Sequence, residues 1–212
     1  MKVILIGATG TVGSIVLATL LQNREIEVIT VSRTGKTDLH ADISDPDAVA
    51  KLFGATGSFD ALINVAGDCW IGPFDEMTED SWYTGIRSKL MGQINLVMMG
   101  KAYINEGGSF TLTSGFLSDD PVKGTINYSV VNGGIDNFVL AAATELSRGI
   151  RINAVSPGLV LPAGHKGMYA ATPGQYPVSH DRVAYAYYKS AFGYLTGQVF
   201  RVWEPSTQYL RK

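Results

Sequence analysis

A glycine-rich segment near the start of the chain has the residue types and the spacing needed to bind a pyrophosphate. The β-rich run Lys2–Ile6 ends at Gly7, and further glycines follow at positions 10 and 13, where a helical pattern begins. Glycine permits a sharp turn and close approach of the backbone, and the N-terminus of the following helix attracts negative charge. The sequence therefore predicts a dinucleotide phosphate site formed by Gly7, Thr9, Gly10, Thr11, Val12 and Gly13. A tight turn packed against the helix is the alternative interpretation.

The end of the second predicted strand indicates which dinucleotide this site prefers. Ser32, Arg33 and Thr34 stand there, with no Asp or Glu among them. A carboxylate at this place holds the ribose hydroxyls of NAD and repels the 2′-phosphate of NADP. Arg33 offers that phosphate a charge-assisted hydrogen bond, so the sequence favours NADP(H), with NAD possible. The alternative is a solvated surface arginine.

These residues must be positioned by a scaffold, and the order of the patterns predicts one. Apolar runs alternate with helical patterns, which is typical of right-handed βαβ units. We predict an α/β fold of the Rossmann type: a doubly wound, mostly seven-stranded parallel sheet with helices on both faces, in a single domain over residues 1–212. The predicted strands are Lys2–Ile6, Glu27–Ser32, Asp38–Asp42, Phe59–Val65, Ser109–Ser114, Ile150–Val155 and Gln198–Val202, with long helices at Thr78–Ile104 and Tyr128–Leu146.

The composition agrees with a buried sheet and argues against several classes of protein. Of the 212 residues, 24 are glycine and 17% are charged, against about 25% charged residues in an average domain. With a net charge of −2 and no basic run, no nucleic-acid partner is expected, and no apolar stretch has the length of a membrane span. His40, His165 and His180 are far apart, so no metal site is predicted. Cys69 is the only cysteine, which favours a reducing, cytoplasmic location.

Several segments, in their order along the chain, resemble the short-chain dehydrogenase/reductase family. The resemblance rests on the glycine segment and on the sequences around Asp42, Asn64, Ser114, Tyr128 and Pro157. It implies that Asp42 and Ile43 bracket the adenine. It also implies that the turn of Asn64, Val65, Ala66 and Gly67 supports the cofactor, and that Pro157 and Gly158 lie under the nicotinamide.

The same resemblance implies a hydride transfer coupled to a proton transfer on a small carbonyl or alcohol substrate. Ser114 is expected to hold the substrate oxygen, and Tyr128 is expected to exchange the proton. In the family, a lysine four residues after the tyrosine lowers the tyrosine pKa, and an asparagine on the preceding long helix completes the set. Here Asn132 stands at the lysine position and Lys89 at the asparagine position, so the two residue types are exchanged.

Two interpretations of this exchange are open. In the first, Lys89 reaches the site from the neighbouring helix and supplies the charge that Asn132 lacks, as in an NADP(H)-dependent oxidoreductase. In the second, Lys89 is a solvated or packing lysine, and the chain is a dinucleotide-binding regulatory or scaffold protein with a degenerate site.

Two further expectations concern the surroundings of the site. The glycines Gly85, Gly92 and Gly100 of the first long helix are expected to allow close helix approach in a homodimer or homotetramer. The irregular segment Leu161–Ser179, with several prolines and glycines, is expected to form most of the substrate pocket.

Overall fold

Parallel strands form the centre of the molecule, of which the computed structural model describes residues 1–162, 172 and 174–203. The strands are β1 (Lys2–Ile6), β2 (Glu27–Ser32), β3 (Leu39–His40), β4 (Phe59–Asn64), β5 (Ile104–Thr113), β6 (Arg151–Pro157) and β7 (Gln198–Val202). They form one seven-stranded sheet in the order β3-β2-β1-β4-β5-β6-β7. Every neighbouring pair is parallel, which confirms the predicted Rossmann-type sheet.

Helices cover both faces of this sheet. They are α1 (Thr11–Leu20), α2 (Pro46–Thr56), α3 (Glu79–Gly85), α4 (Gly92–Gly100), α5 (Ile126–Glu145) and α6 (His180–Phe192). Alternate residues of β1 point to opposite faces. Val3 and Leu5 pack in a cluster with α1 and α6, whereas Ile4 and Ile6 pack in a cluster with α2, α4 and α5. Because both faces are buried, β1 is apolar without a break from Val3 to Ile6.

The segment Thr78–Ile104, predicted as one long helix, consists of several helical pieces and the first residue of a strand. Thr78 caps α3, with its side chain accepting a hydrogen bond from the Ser81 N–H. A π-helical turn, Ile86–Met91, joins α3 to α4, and β5 begins at Ile104 rather than at Ser109. A π turn adds one residue to a helical turn, so apolar spacing alone does not reveal it.

The glycines of this segment pack inside the chain, which corrects the role expected for them in a subunit interface. A Cβ at Gly92 would lie 2.8 Å from Ile43 Cγ1, and a Cβ at Gly100 would lie 2.9 Å from Phe53 Cζ. Gly85 is enclosed in the same way. These glycines let the helices approach neighbouring parts of their own chain. Their packing therefore gives no information on the oligomeric state.

We expect Gly92→Ala to lower the free energy of unfolding by about 1–3 kcal/mol, because the added methyl group overpacks against Ile43. Gly54→Ala in α2 is the matched control, since no atom lies within 4 Å of the new methyl group. This control should gain about 0.5–1 kcal/mol from the better helix propensity of alanine. Urea unfolding measures both. A Gly92→Ala variant of unchanged stability that dissociates an oligomer would instead support the interface role.

Candidate active site

The glycine turn lies at the carboxyl end of β1 and leads into the first turn of α1. Gly7 has a φ of 85°, in the left-handed region that glycine favours. A Cβ at Gly13 would lie 2.0 Å from Gly7 O, so Gly13 serves the close packing of α1 on the turn. Gly10 caps α1 without a side-chain hydrogen bond. Backbone N–H groups of the first helical turn are therefore available to a phosphate.

A cleft extends from this turn along the carboxyl ends of β1, β2 and β4. Arg33 Nη1 donates to Asp68 Oδ2 at 2.7 Å, and both side chains are more than half exposed. The Asp42 carboxylate accepts hydrogen bonds from Ser44 N and Oγ, and the hydroxyl bond is the largest effect that lowers the pKa of Asp42. Among the residues lining the cleft are the predicted Gly7, Thr9, Gly10, Ser32, Arg33, Thr34, Asp42, Ile43, Val65, Ala66 and Gly67.

A second cavity adjoins the cleft and brings the predicted catalytic residues together. Val65, Ala66 and Gly67 line both spaces, so the two are continuous along the turn after β4. The other predicted residues around the second cavity are Lys89, Ser114, Tyr128, Asn132, Pro157 and Gly158. The carboxyl edge of the sheet thus places candidate cofactor residues and candidate catalytic residues side by side.

Lys89 extends from the π turn into this second cavity and is only 7% exposed. Its Nζ donates hydrogen bonds to Asn132 Oδ1 at 2.7 Å and to Ser114 O at 3.0 Å. Burial lowers the pKa of Lys89 from 10.5 to about 8, although the charges of Cys69 and Asp136 act in the opposite direction. Lys89 is therefore a buried lysine rather than a solvated one.

The loop after β4 closes over the Lys89 side chain. Gly67 has a φ of 147°, and a Cβ there would lie 2.7 Å from Lys89 Cγ. Cys69 follows in the same loop, and burial raises the pKa of its thiol to about 11.

Tyr128 lies one helical turn before Asn132 on α5, and Lys89 Nζ lies 5.0 Å from the centroid of its ring. Burial raises the pKa of Tyr128, and the charges of Cys69 and Asp68 raise it further. This direction differs from the lowered tyrosine pKa that the family resemblance implies. The physical reason is burial, the largest of these effects, because it disfavours the charged phenolate.

Ser114 follows β5 directly and is 2% exposed. Within the described part of the chain, neither Ser114 Oγ nor Asp136 Oδ1 has a hydrogen bond of normal geometry. Burial is the main cause of a raised pKa of Asp136, and the hydroxyls of Ser114 and Ser118 oppose it. Ser118 Oγ donates to Asp136 Oδ2 at 3.0 Å. The Ser114 hydroxyl therefore lies buried beside the Asp136 carboxyl, at the wall of the second cavity.

Some predicted residues lie outside both cavities, and other residues around the site were not predicted. Thr11, Val12, Gly13 and Asn64 line neither space. Asn64 is fully buried and donates from Nδ2 to Ala66 O at 2.8 Å, so it shapes the turn. Sequence reasoning missed Asp68, Ser88, Gln93, Phe116 and Asp136, although Asp68 follows the glycine of the β4 turn and Ser88 precedes Lys89. Most of the predicted substrate segment, with His165, lies outside the described residues.

The parallel sheet and the glycine turn at the end of β1 define an α/β fold of the Rossmann type. The family model described as enoyl-(acyl carrier protein) reductase, adh_short_C2, matches residues 11–184. The chain belongs to the short-chain dehydrogenase/reductase family.

Named relatives and solved structures agree with this assignment. Versicolorin reductase 1 of Aspergillus parasiticus is 30% identical over 166 residues, which cover 72% of this chain and 63% of that protein. The chain thus spans less than two thirds of the curated relatives it first matches. The crystal structure of the protein lin1944 from Listeria innocua is similar with a TM-score of 0.91 and 38% identity, covering 96% of this chain and all of that one. A small-chain dehydrogenase in complex with NADPH is similar with a TM-score of 0.82 and 31% identity, covering 95% and 96%.

The described residues contain neither a membrane-spanning helix nor a cluster of metal ligands. None of the described helices combines the length and the apolar character that crossing a membrane requires. Among the same residues, no group of three or more His, Cys, Asp or Glu side chains is arranged to hold a metal ion.

The buried Lys89 amine should make the stability of the fold depend on pH. Between pH 8 and 10.5 the folded chain binds fewer protons at Lys89 than the unfolded chain does, so stability rises with pH over this range. We expect the wild type to gain up to ~3 kcal/mol over Lys89→Met between pH 7 and 10.5, measured by urea unfolding. The exposed Lys101→Met serves as the control. A parallel pH dependence of the wild type and Lys89→Met would contradict a lowered pKa of Lys89.

Proposed function

We propose that the protein is an NADP(H)-dependent oxidoreductase that reduces a carbonyl or oxidises an alcohol of a small substrate. The observation that carries this proposal is the buried Lys89 amine beside Tyr128, held by Asn132 and by the Ser114 carbonyl, in a cavity continuous with the glycine-turn cleft. A tyrosine and a serine hydroxyl that line the same cavity can hold an oxygen and exchange a proton with it. The relatives named as reductases, and the similar chain solved with NADPH, support the same reaction class.

The residues of the cleft fit a dinucleotide phosphate. The glycine turn leaves room for the backbone to approach a pyrophosphate, and the uncapped N-terminus of α1 offers N–H groups to its charge. Arg33 would hold the 2′-phosphate, Asp42 and Ile43 would contact the adenine, and Pro157 and Gly158 would border the nicotinamide. The bound dinucleotide supplies or accepts the hydride.

The proton chemistry belongs to the chain itself. In carbonyl reduction, the Tyr128 hydroxyl gives its proton to the substrate oxygen, while Ser114 Oγ donates a hydrogen bond to the same oxygen. Protonated Lys89 stabilises the phenolate that remains, because a cation near the ring favours the charged form. Two acceptors use two of the three ammonium protons of Lys89, which leaves one for a ribose hydroxyl. Asn132 orients the amine as its acceptor.

The exposed arginine of the cleft should discriminate between the two nicotinamide dinucleotides. We expect Arg33→Gln to weaken NADPH binding about tenfold or more, because a charge-assisted hydrogen bond to the 2′-phosphate is lost. NADH binding should change little. Titration of nicotinamide fluorescence measures both affinities, with the exposed Arg24→Gln as the control. Equal losses for NADPH and NADH would contradict contact with the 2′-phosphate.

A carbonyl screen in the presence of NADPH tests the activity. We expect hydride loss with at least one small aldehyde or ketone, and a fall of kcat by at least about a hundredfold in Tyr128→Phe, which cannot give the proton. The exposed Tyr185→Phe is the matched control. Turnover that survives in Tyr128→Phe would remove Tyr128 from its proposed role.

The raised pKa of Tyr128 favours a second candidate function, a dinucleotide-binding regulatory or scaffold protein. A tyrosine that resists ionisation in the free protein is a poorer base for alcohol oxidation. Tight NADPH binding without hydride loss to any carbonyl would support this candidate over the enzyme.

We also propose a homodimer or homotetramer, on evidence other than the glycines. Exposed apolar side chains lie on the π turn and on α4 and α5, namely Met91, Met98, Val130 and Leu140. Association would remove this apolar surface from water. A monomeric mass in light scattering would contradict the proposal.

A further inference from the structure

The side chain of Gln93, in the first turn of α4, is completely buried between the π turn and the end of β5. Its Nε2 donates to Thr113 O at 2.9 Å and to Lys89 O at 3.0 Å. Its Oε1 accepts a hydrogen bond from Thr113 N at 2.8 Å. The carboxamide thus uses both of its N–H groups and its oxygen on backbone atoms of two separate elements.

Gln93 takes the place that a neighbouring strand would occupy at the end of β5. The strand β4 pairs with β5 as far as Ile63 opposite Thr111. Beyond that point, the N–H of Val65 donates to Ile6 O of β1 at 2.9 Å, and Asn64 O accepts a hydrogen bond from the Thr113 hydroxyl. The N–H and C=O of Thr113 would lack partners in a buried site, and the Gln93 amide supplies both as a peptide group would.

The same amide determines where Lys89 stands. Its second N–H binds the Lys89 carbonyl, while the Lys89 amine donates to Ser114 O at 3.0 Å. Lys89 is therefore attached to β5 at both ends: its backbone through Gln93 to Thr113, and its side chain directly to Ser114. Because Lys89 is held at its backbone and at its amine, its side chain follows a fixed path from the π turn to the space between β5 and α5.

We propose that Gln93 is a positioning residue: its carboxamide joins the helical turn that carries Lys89 to the end of the strand that precedes Ser114, and thereby holds the Lys89 amine in the site. The proposal rests on the function given to Lys89 above. It depends on hydrogen bonding rather than on the volume of the side chain, because two carbonyl oxygens and one N–H surround the amide. Only a group with two donors and one acceptor satisfies all three.

Loss of the Gln93 hydrogen bonds should change the pKa of Lys89 and not only the stability of the fold. With its carbonyl released, the π turn can relax, and water can reach an amine that is now buried. The groups facing Lys89 from the packed elements are Cys69 in the loop after β4, and Tyr128 and Asp136 on α5. The side-chain hydrogen bonds of Gln93 involve none of these groups, so a rise of the Lys89 pKa from about 8 in a Gln93 variant reports hydration of the amine.

The decisive experiment follows the titration of Lys89 by NMR in protein labelled at the lysine side chains, with Lys89→Met to assign the signal. Gln93→Met keeps the length and approximate volume of the side chain but removes all three hydrogen bonds. We expect it to raise the pKa of Lys89 by at least about one unit, a tenfold change in the protonated ratio. Thr111→Val is the matched control, because it removes a buried hydrogen bond from the same strand, to Ser190 on α6, without touching Lys89. It should lower stability and leave the Lys89 pKa unchanged.

An unchanged Lys89 pKa in a folded Gln93→Met variant would overturn the proposal, and so would an equal rise in Thr111→Val. Hydrogen exchange in the wild type provides a second test that needs no variant. The two side-chain N–H protons of Gln93 should exchange far more slowly than those of the exposed Gln22, and rapid exchange of both would overturn the proposal. Neither measurement requires turnover or a bound dinucleotide. A protein inactive toward every carbonyl with this Lys89 response would refute the proposed activity and leave the role of Gln93 standing.

Discussion

The arrangement of the site depends on keeping one ammonium group out of water. A buried charge is costly unless hydrogen-bond acceptors replace its hydration shell. Lys89 finds them in Ser114 O at the end of β5 and in Asn132 Oδ1 on α5. Both acceptors must therefore keep their positions if the Lys89 amine is to remain buried. The register of β5, the rotation of α5 and the path of the π turn therefore depend on one another, because each element carries one of these three groups.

With lysine and asparagine exchanged, the two side chains of this chain are in direct contact, and the lysine comes from the π turn instead of α5. Because Asn132 lies one turn after Tyr128 on α5, its amide oxygen meets the amine beside the tyrosine ring. The amine itself arrives from the π turn, on a backbone segment anchored to β5. The electrostatic result differs from a lysine rooted on α5, because burial lowers the pKa of Lys89 to about 8. Its charge is present at neutral pH and is lost as the pH rises above about 8.

The pattern of apolar runs and motifs in the sequence predicted the sheet, its parallel strands and most of the residues that line the two cavities. It did so because strand ends in a parallel sheet share one edge, so residues after β1, β2, β4, β5 and β6 must meet there. The π turn was not predicted, since one additional residue shifts the apolar spacing by a single position, and such a shift has no sequence signature of its own. Gly92 was assigned to an interface because a glycine in a sequence shows that space is short but not which neighbour is close. Gln93 and Asp68 escaped notice because their roles lie in hydrogen bonds to residues distant along the chain.

The two cations of the site differ in what their surroundings allow them to do. Arg33 pairs with Asp68 where both side chains are more than half exposed, and such a pair contributes little stability because water screens it. Arg33 can therefore exchange its carboxylate for a phosphate at small cost, which suits a group that binds and releases a ligand. If Lys89 lost its acceptors, its charge would be buried without a hydrogen-bond partner, which is energetically costly. It is suited to a fixed role beside Tyr128, in which protonation rather than movement changes its effect.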